Sequence, residues 1–175
     1  MSNPALEPEI AMRRAQKVAQ EQWIGRPAWA TILASLGLLS IYFGNVALAV
    51  SGTYPLWLAA IIAVVPIHAG FTILHEASHR TLSNGAKWLG WVDPLLGTAH
   101  ATLLIYDMPT FRFLHLRHHH FTNDPEQDPD YWLQRYSIIK VLLLSLLVPL
   151  HYLRLYGKAA QKGSLTNREV ALTAL

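Results

Sequence analysis

A chain of 175 residues, long enough for one ordinary domain, carries 52% hydrophobic and only 14% charged residues, against roughly 25% charged in soluble domains. Its formal net charge of +3 is too small and too scattered for a nucleic-acid partner and points instead to basic residues meeting lipid headgroups. With no Cys, disulfides, thiolate metal sites and iron–sulfur clusters are excluded, so any metal must take nitrogen or oxygen ligands.

The first 27 residues hold no apolar core of the signal-peptide kind and read as a polar arm, helical in part from Glu7 to Trp23. Arg13, Arg14, Lys17 and Arg26 place that arm on the cytoplasmic side. Between Arg26 and Arg80 there is no Lys or Arg, and Glu76 is the sole acid. A soluble fold would rarely leave so long a stretch without a charged face. Trp29 to Val50 predicts a first membrane span, at ~20 residues per crossing. Residues Ser51, Gly52, Thr53, Tyr54 and Pro55 supply turn chemistry. Leu56 to about Leu74 predicts the return span, kinked at Pro66. Such a hairpin brings His75 back to the cytoplasmic surface.

Residues 80 to 136 mix charge with Trp, Tyr and Pro and read as an interfacial and cytoplasmic segment. Within it, Trp88 to Ile105 either lies in the membrane surface or dips in and out. Ile138 to Leu155 is apolar again, but a crossing would put Arg154, Lys158, Lys162 and Arg168 outside, against the positive-inside tendency. An interfacial or re-entrant helix with both ends cytoplasmic is expected there. The last residues, EVALTAL, open a new apolar run and stop, as the front part of a longer protein would. The expected fold is all-α and membrane-integral, a multi-pass chain whose residues 28–175 form the N-terminal part of one domain. Its cytoplasmic and interfacial helices carry the histidines.

Those histidines form two clusters. HEASH places His75 and His79 four apart at the end of the second span, on one helical face and able to grip one metal ion. FRFLHLRHHHF places His115, His118 and His119 at i, i+3 and i+4, again on one face of a helix, with His120 turned about 100° away from His119. The acidic turn TNDPEQDPD follows. Ligating imidazoles donate their second N–H to carboxylates or carbonyls, which makes Asp124, Asp128 and Asp130, with His120, candidates for supporting the ligands. Five imidazoles exceed the four donors of one tetrahedral ion, so two metal ions sharing two helices is the simpler arrangement. Imidazole suits iron, copper, zinc and nickel alike. Just beneath a lipid surface, attack on an unactivated C–H bond needs a redox metal and O2.

An HxxxH box at the end of a membrane hairpin, followed some tens of residues later by HxxHH, resembles the membrane fatty acid desaturase and hydroxylase superfamily. HLRHHHFTNDPEQDPDYW is especially similar to that group's second histidine box, including the trailing TN and DPD. Acyl-lipid desaturases and some carotenoid hydroxylases share this extension. In layout the resemblance covers about Ile24 to Leu155. It implies two iron ions with ligands His75, His79, His115, His118 and His119, O2 as co-substrate, and a membrane lipid as the apolar substrate. It also implies a separate electron donor of the ferredoxin or cytochrome b5 type. The implied reaction is desaturation of an acyl chain, with a carotenoid hydroxylase or ketolase, or an alkane hydroxylase, as the alternatives within the superfamily. The superfamily's third histidine box has no counterpart in these residues, and His151 is solitary.

Two other readings compete. HEASH also satisfies HExxH, the pattern of zinc metalloproteases in which Glu76 would activate water; it needs a third ligand and leaves the second cluster unexplained. A metal transporter would need histidines and acids deep within several spans, whereas here only His68 lies well inside one. His68 and His100 read as polar contacts between helices, or as groups supporting the ligands, and Asp93 as a turn or cap.

Overall fold

A computed structural model of the chain describes residues 7–145 and 147–161; among these, every regular element is helical. The closing EVALTAL lies outside the described residues. Helix α1 (Glu7–Trp23) is the polar arm. Helices α2 (Trp29–Val50) and α3 (Leu56–His79) are both long and apolar enough to cross a membrane. Leu33, Leu36, Ile41 and Phe43 on α2, and Ile61, Val64 and Val65 on α3, remain exposed. Helices that are apolar on their outward faces as well as their inward ones need a lipid surround.

The two ends of this hairpin are fastened differently. At one end the buried Asn45 side chain donates from Nδ2 to the Ala59 carbonyl at 2.9 Å, and the Tyr54 hydroxyl donates to the Asn45 side chain. At the other end the Ala28 N–H donates to the Leu82 carbonyl at 2.9 Å, and Asn84 Nδ2 to the Arg26 carbonyl at 2.9 Å. The start of α2 is thereby tied to the loop that leaves α3. Helix α3 ends abruptly at Arg80, which adopts φ +60°. The Thr81 N–H reaches back to the Glu76 carbonyl and the Arg80 N–H to Ala77, a left-handed cap that satisfies the last carbonyls. His79 therefore stands in the final turn.

From here the chain doubles back along α3 and then returns. Asp93, buried in the first turn of α4 (Val92–Leu103), accepts the N–H groups of Leu82 at 3.0 Å and Ser83 at 3.2 Å. Helix α4 then runs antiparallel to α3, with Gly97 against Ala77 and His100 against Gly70. Contacts this close need small residues. A Cβ added to Gly97 would stand 2.7 Å from Met108 Cε and 2.9 Å from Ala77 Cβ. At 1.5 Å per residue α4 is about 18 Å long, short of the ~30 Å hydrocarbon core. Within Trp88 to Ile105, α4 packs along α3 and is too short to cross a bilayer by itself.

After a turn through Ile105, Asp107 caps α5 (Met108–Phe121) by accepting the Thr110 N–H at 3.0 Å. Helix α5 runs parallel to α3. Phe111 meets Phe71 edge-on at 5.8 Å, and one turn further His115 meets His75 at 4.6 Å. Two more helices follow, α6 (Ile138–Ser145) and α7 (Val148–Gln161), bent by 72° from each other. Pro149 sits in the first turn of α7, where a missing N–H leaves no bond unmade. Ile138, Ile139, Leu142 and Leu143 on α6 and Leu150 and Leu153 on α7 are exposed; Tyr152 is buried, packed near Tyr106 at 5.8 Å and Phe111 at 6.3 Å.

Candidate metal centre

The parallel run of α3 and α5 sets two i, i+4 histidine pairs face to face. His75, His79, His115 and His119 each offer a ring nitrogen, and these four atoms lie within 4.8 Å of one another. His115 Nε2 stands 3.0 Å from His79 Nε2 and 3.1 Å from His119 Nε2. Ligands held at ~2.0–2.1 Å around a common ion stand about 3 Å from one another. The donor set fits one cation.

The surroundings keep His115 neutral and aim His75. His115 is buried, with its ring stacked on Phe111 at 5.2 Å and only 9° from parallel. Burial, followed by the neighbouring His75, His119 and His79 rings, pushes its pKa down to about 3. It therefore presents a lone pair, the form a metal requires. His75 Nδ1 lies 3.1 Å from Glu76 Oε1. The other Glu76 oxygen accepts the Thr81 hydroxyl at 2.7 Å. A carboxylate fixed on Nδ1–H selects the tautomer whose Nε2 is bare.

The i, i+3, i+4 spacing of the second cluster predicted that His115, His118 and His119 would share one helix face; in the structure His115 and His119 join one group of donors and His118 another. His118 and His119 flank His115 about the helix axis, about 100° apart. His119 faces α3, whereas His118 faces the loop of residues 122–130. His118 Nδ1 donates to Asp128 Oδ1 at 2.8 Å, with Asp130 Oδ2 at 3.7 Å. The buried Asp128 also accepts the backbone N–H of Asn123 at 2.9 Å and of Asp130 at 2.8 Å. Burial alone would raise the Asp128 pKa, but His118 and those two N–H groups bring it below the ordinary value. His118 and the two carboxylates also form a three-residue group able to hold a metal.

The remaining candidates lie elsewhere. Asp124 accepts the N–H groups of Glu126 and Gln127 at 2.8 and 3.0 Å and shapes the turn. His120 is exposed, edge-on to Phe121 at 4.5 Å. His100 Nε2 meets Ser35 Oγ at 2.9 Å, a polar contact between α4 and α2, and His68 is exposed on α3. His151 packs on Trp132 at 4.8 Å. Three participants escaped the sequence reading. Thr81 and the histidine-fixing role of Glu76 carry a weak local signal, being adjacent to HEASH. Tyr152 donates its hydroxyl to both Asp130 oxygens at 2.9 Å. No local spacing links it to a residue so far upstream.

The sequence model of the family described as fatty acid desaturase matches residues 51–169, a span that includes both histidine clusters. The chain is 28% identical over 128 residues to an sn-1 oleoyl-lipid 12-desaturase of Anabaena variabilis, covering 73% of this chain and 35% of that protein. It is 31% identical over 102 residues to a protein of the same description from Synechocystis sp., covering 58% and 27% respectively. A third, from Picosynechococcus sp., is 29% identical over 101 residues, again covering 58% and 27%. The chain thus spans about a third or less of the length of the relatives it matches. No solved structure matches it. With a family match over more than half of its residues, the chain belongs to the fatty acid desaturase family.

Proposed function

We propose that this chain supplies the first two histidine boxes of a membrane-bound, O2-dependent di-iron oxidoreductase that desaturates the acyl chain of a membrane lipid. The observation that carries the reading is the convergence of four imidazole nitrogens from α3 and α5 within 4.8 Å, in a chain with two helices apolar enough to span a bilayer. His75, His79, His115 and His119 would hold one iron. His118, held through Nδ1 by Asp128, keeps Nε2 for a second. Bound iron would supply the oxidising power, drawn from O2, that an unactivated C–H bond demands. The relatives named above, described as acting on oleoyl lipids, support a glycerolipid-bound acyl chain as substrate.

The chain's own residues do the positioning. Glu76 and Asp128 fix the tautomers of His75 and His118, and Phe111 stacks on His115 and shields one ring face from water. Both Glu76 oxygens are engaged, by Thr81 and His75, which counts against the water-activating carboxylate of a zinc protease. Electrons would come from a separate carrier of the ferredoxin or cytochrome b5 type. The N-terminal arm and the histidines would share one side, because residues 26–28 are bonded to the loop leaving the histidine end of α3, and Arg13, Arg14, Lys17 and Arg26 support the cytoplasm as that side.

The test is the full-length protein, purified in detergent, assayed for bound metal and for O2-dependent double-bond formation in oleoyl glycerolipid vesicles with a reduced carrier. Iron bound together with a new double bond supports the reading. Zinc alone with peptide hydrolysis would replace it by the protease. Because the chain has no Cys, single-Cys variants labelled from either side of a sealed membrane test the orientation.

A further inference from the structure

Tyr152 is the point at which α7 enters the core, and it enters beside the second histidine cluster. The residue is 5% exposed, and its hydroxyl bridges both oxygens of Asp130 at 2.9 Å. Asp130 stands 3.7 Å from His118 Nδ1, and its backbone N–H donates to Asp128 Oδ1 at 2.8 Å. That same Asp128 oxygen accepts His118 Nδ1–H. A continuous polar path therefore runs from α7 through the acidic loop to an imidazole of α5. The loop is otherwise a turn, with Asn123 in a left-handed conformation at φ +68°. Apart from the tyrosine, its side-chain ties to later residues include one contact from Gln134 to Asn123. A carboxylate held by a hydroxyl from a separate helix is less free to swing away when an ion approaches.

We infer that Tyr152 is a positioning residue of the metal centre: through Asp130 it holds the carboxylate pair that orients His118, so the seating of α7 controls how tightly His118 binds metal. This rests on the metal-centre reading above, and the tests keep the two apart. In the first, the full chain in detergent is titrated anaerobically with Fe(II), comparing the parent with Tyr152→Phe, His118→Ala and the double variant. Phe keeps the buried ring and removes only the hydroxyl. Tyr152→Phe is expected to lower affinity about tenfold, the lower end for a residue behind a ligand. The thermal midpoint of the metal-free protein is expected to stay within the effect of one partly buried hydrogen bond. The double variant should bind no more weakly than His118→Ala alone, because the path ends at His118. Losses that add, or an unchanged affinity in Tyr152→Phe, overturn the inference while leaving the metal centre standing.

A parent that binds no iron overturns the metal-centre reading instead, and a second measurement still decides the role of Tyr152. In the metal-free chain at neutral pH, nitrogen chemical shifts of labelled His118 are expected to report the Nδ1–H tautomer in the parent. In Tyr152→Phe they should move toward the mixture of free imidazole. Identical tautomer populations in the two proteins overturn the inference.

Discussion

Gly70 on α3 lies directly beneath the His100 ring on α4: a Cβ at that position would stand 2.5 Å from His100 Nδ1. The absence of a side chain there lets α4 lie flush on α3, and that seating delivers α5 to the histidines. Gly70→Ala is expected to destabilise the detergent-solubilised protein by about 1–3 kcal/mol, as overpacking of a close-packed site does. Gly44→Ala, on α2 with nothing within 4 Å, should instead be neutral or stabilising by up to about 1 kcal/mol from helix propensity. Thermal midpoints of the two variants check the contrast; equal shifts would contradict the close packing.

Replacing Asp128 by Asn keeps the size and one carbonyl oxygen but removes the charge that fixes His118. Metal affinity is expected to fall about 10- to 100-fold, the range for groups that orient ligands. Competition with a chelator reads this directly. Asp124→Asn, in the same loop but accepting from backbone N–H groups and Gln127 rather than from a histidine among the described residues, should leave affinity within a factor of a few.

Acid should loosen the metal-free protein through His115. Its pKa is depressed to about 3 in the fold, against about 6.5 when unfolded. Between those values the unfolded chain binds the additional proton. Stability contributed by the neutral ring is thus complete above pH ~6.5 and is lost as pH falls toward 3. The thermal midpoint of the metal-free chain should drop between pH 7.5 and 5. His115→Gln should flatten that drop by up to one proton's worth of slope, and an unchanged slope would contradict the burial assigned to His115.

Ile105 turns the chain from α4 to α5 at φ +61°, with 81% of its surface exposed. A β-branched residue is strained in the left-handed region, where Gly is not. Ile105→Gly is expected to raise stability by roughly 1 kcal/mol, seen as a higher thermal midpoint with metal binding unchanged.

Much of this molecule can be read from residue order because lipid and helix geometry leave few choices. The long stretch without Lys or Arg and the Ser51–Pro55 turn announce a helical hairpin, and the HxxxH and HxxHH spacings announce helix-borne donors. The all-α class follows from the same features. What the spacing could not reveal is which neighbour each face meets. His118 and His119 are equivalent as letters, yet one helical step sends His119 to α3 and His118 to Asp128. The seating of α4 on α3 depends on Gly70 and Gly97 meeting His100, Ala77 and Met108, contacts fixed only when three helices assemble. Tyr152 resembles any aromatic in an apolar run until α7 folds back over the acidic loop.

In the proposed centre, α3 and α5 each give two imidazoles to one ion. Cobalt(II) absorption of the full chain, titrated anaerobically, tests it most directly through two variants, His79→Ala on α3 and His115→Ala on α5. Each alone should weaken cobalt binding by more than the roughly hundredfold limit of groups behind the ligands and change the ligand-field bands in the same way. Tight binding with unaltered bands in either variant would show that the two helices do not share the ion.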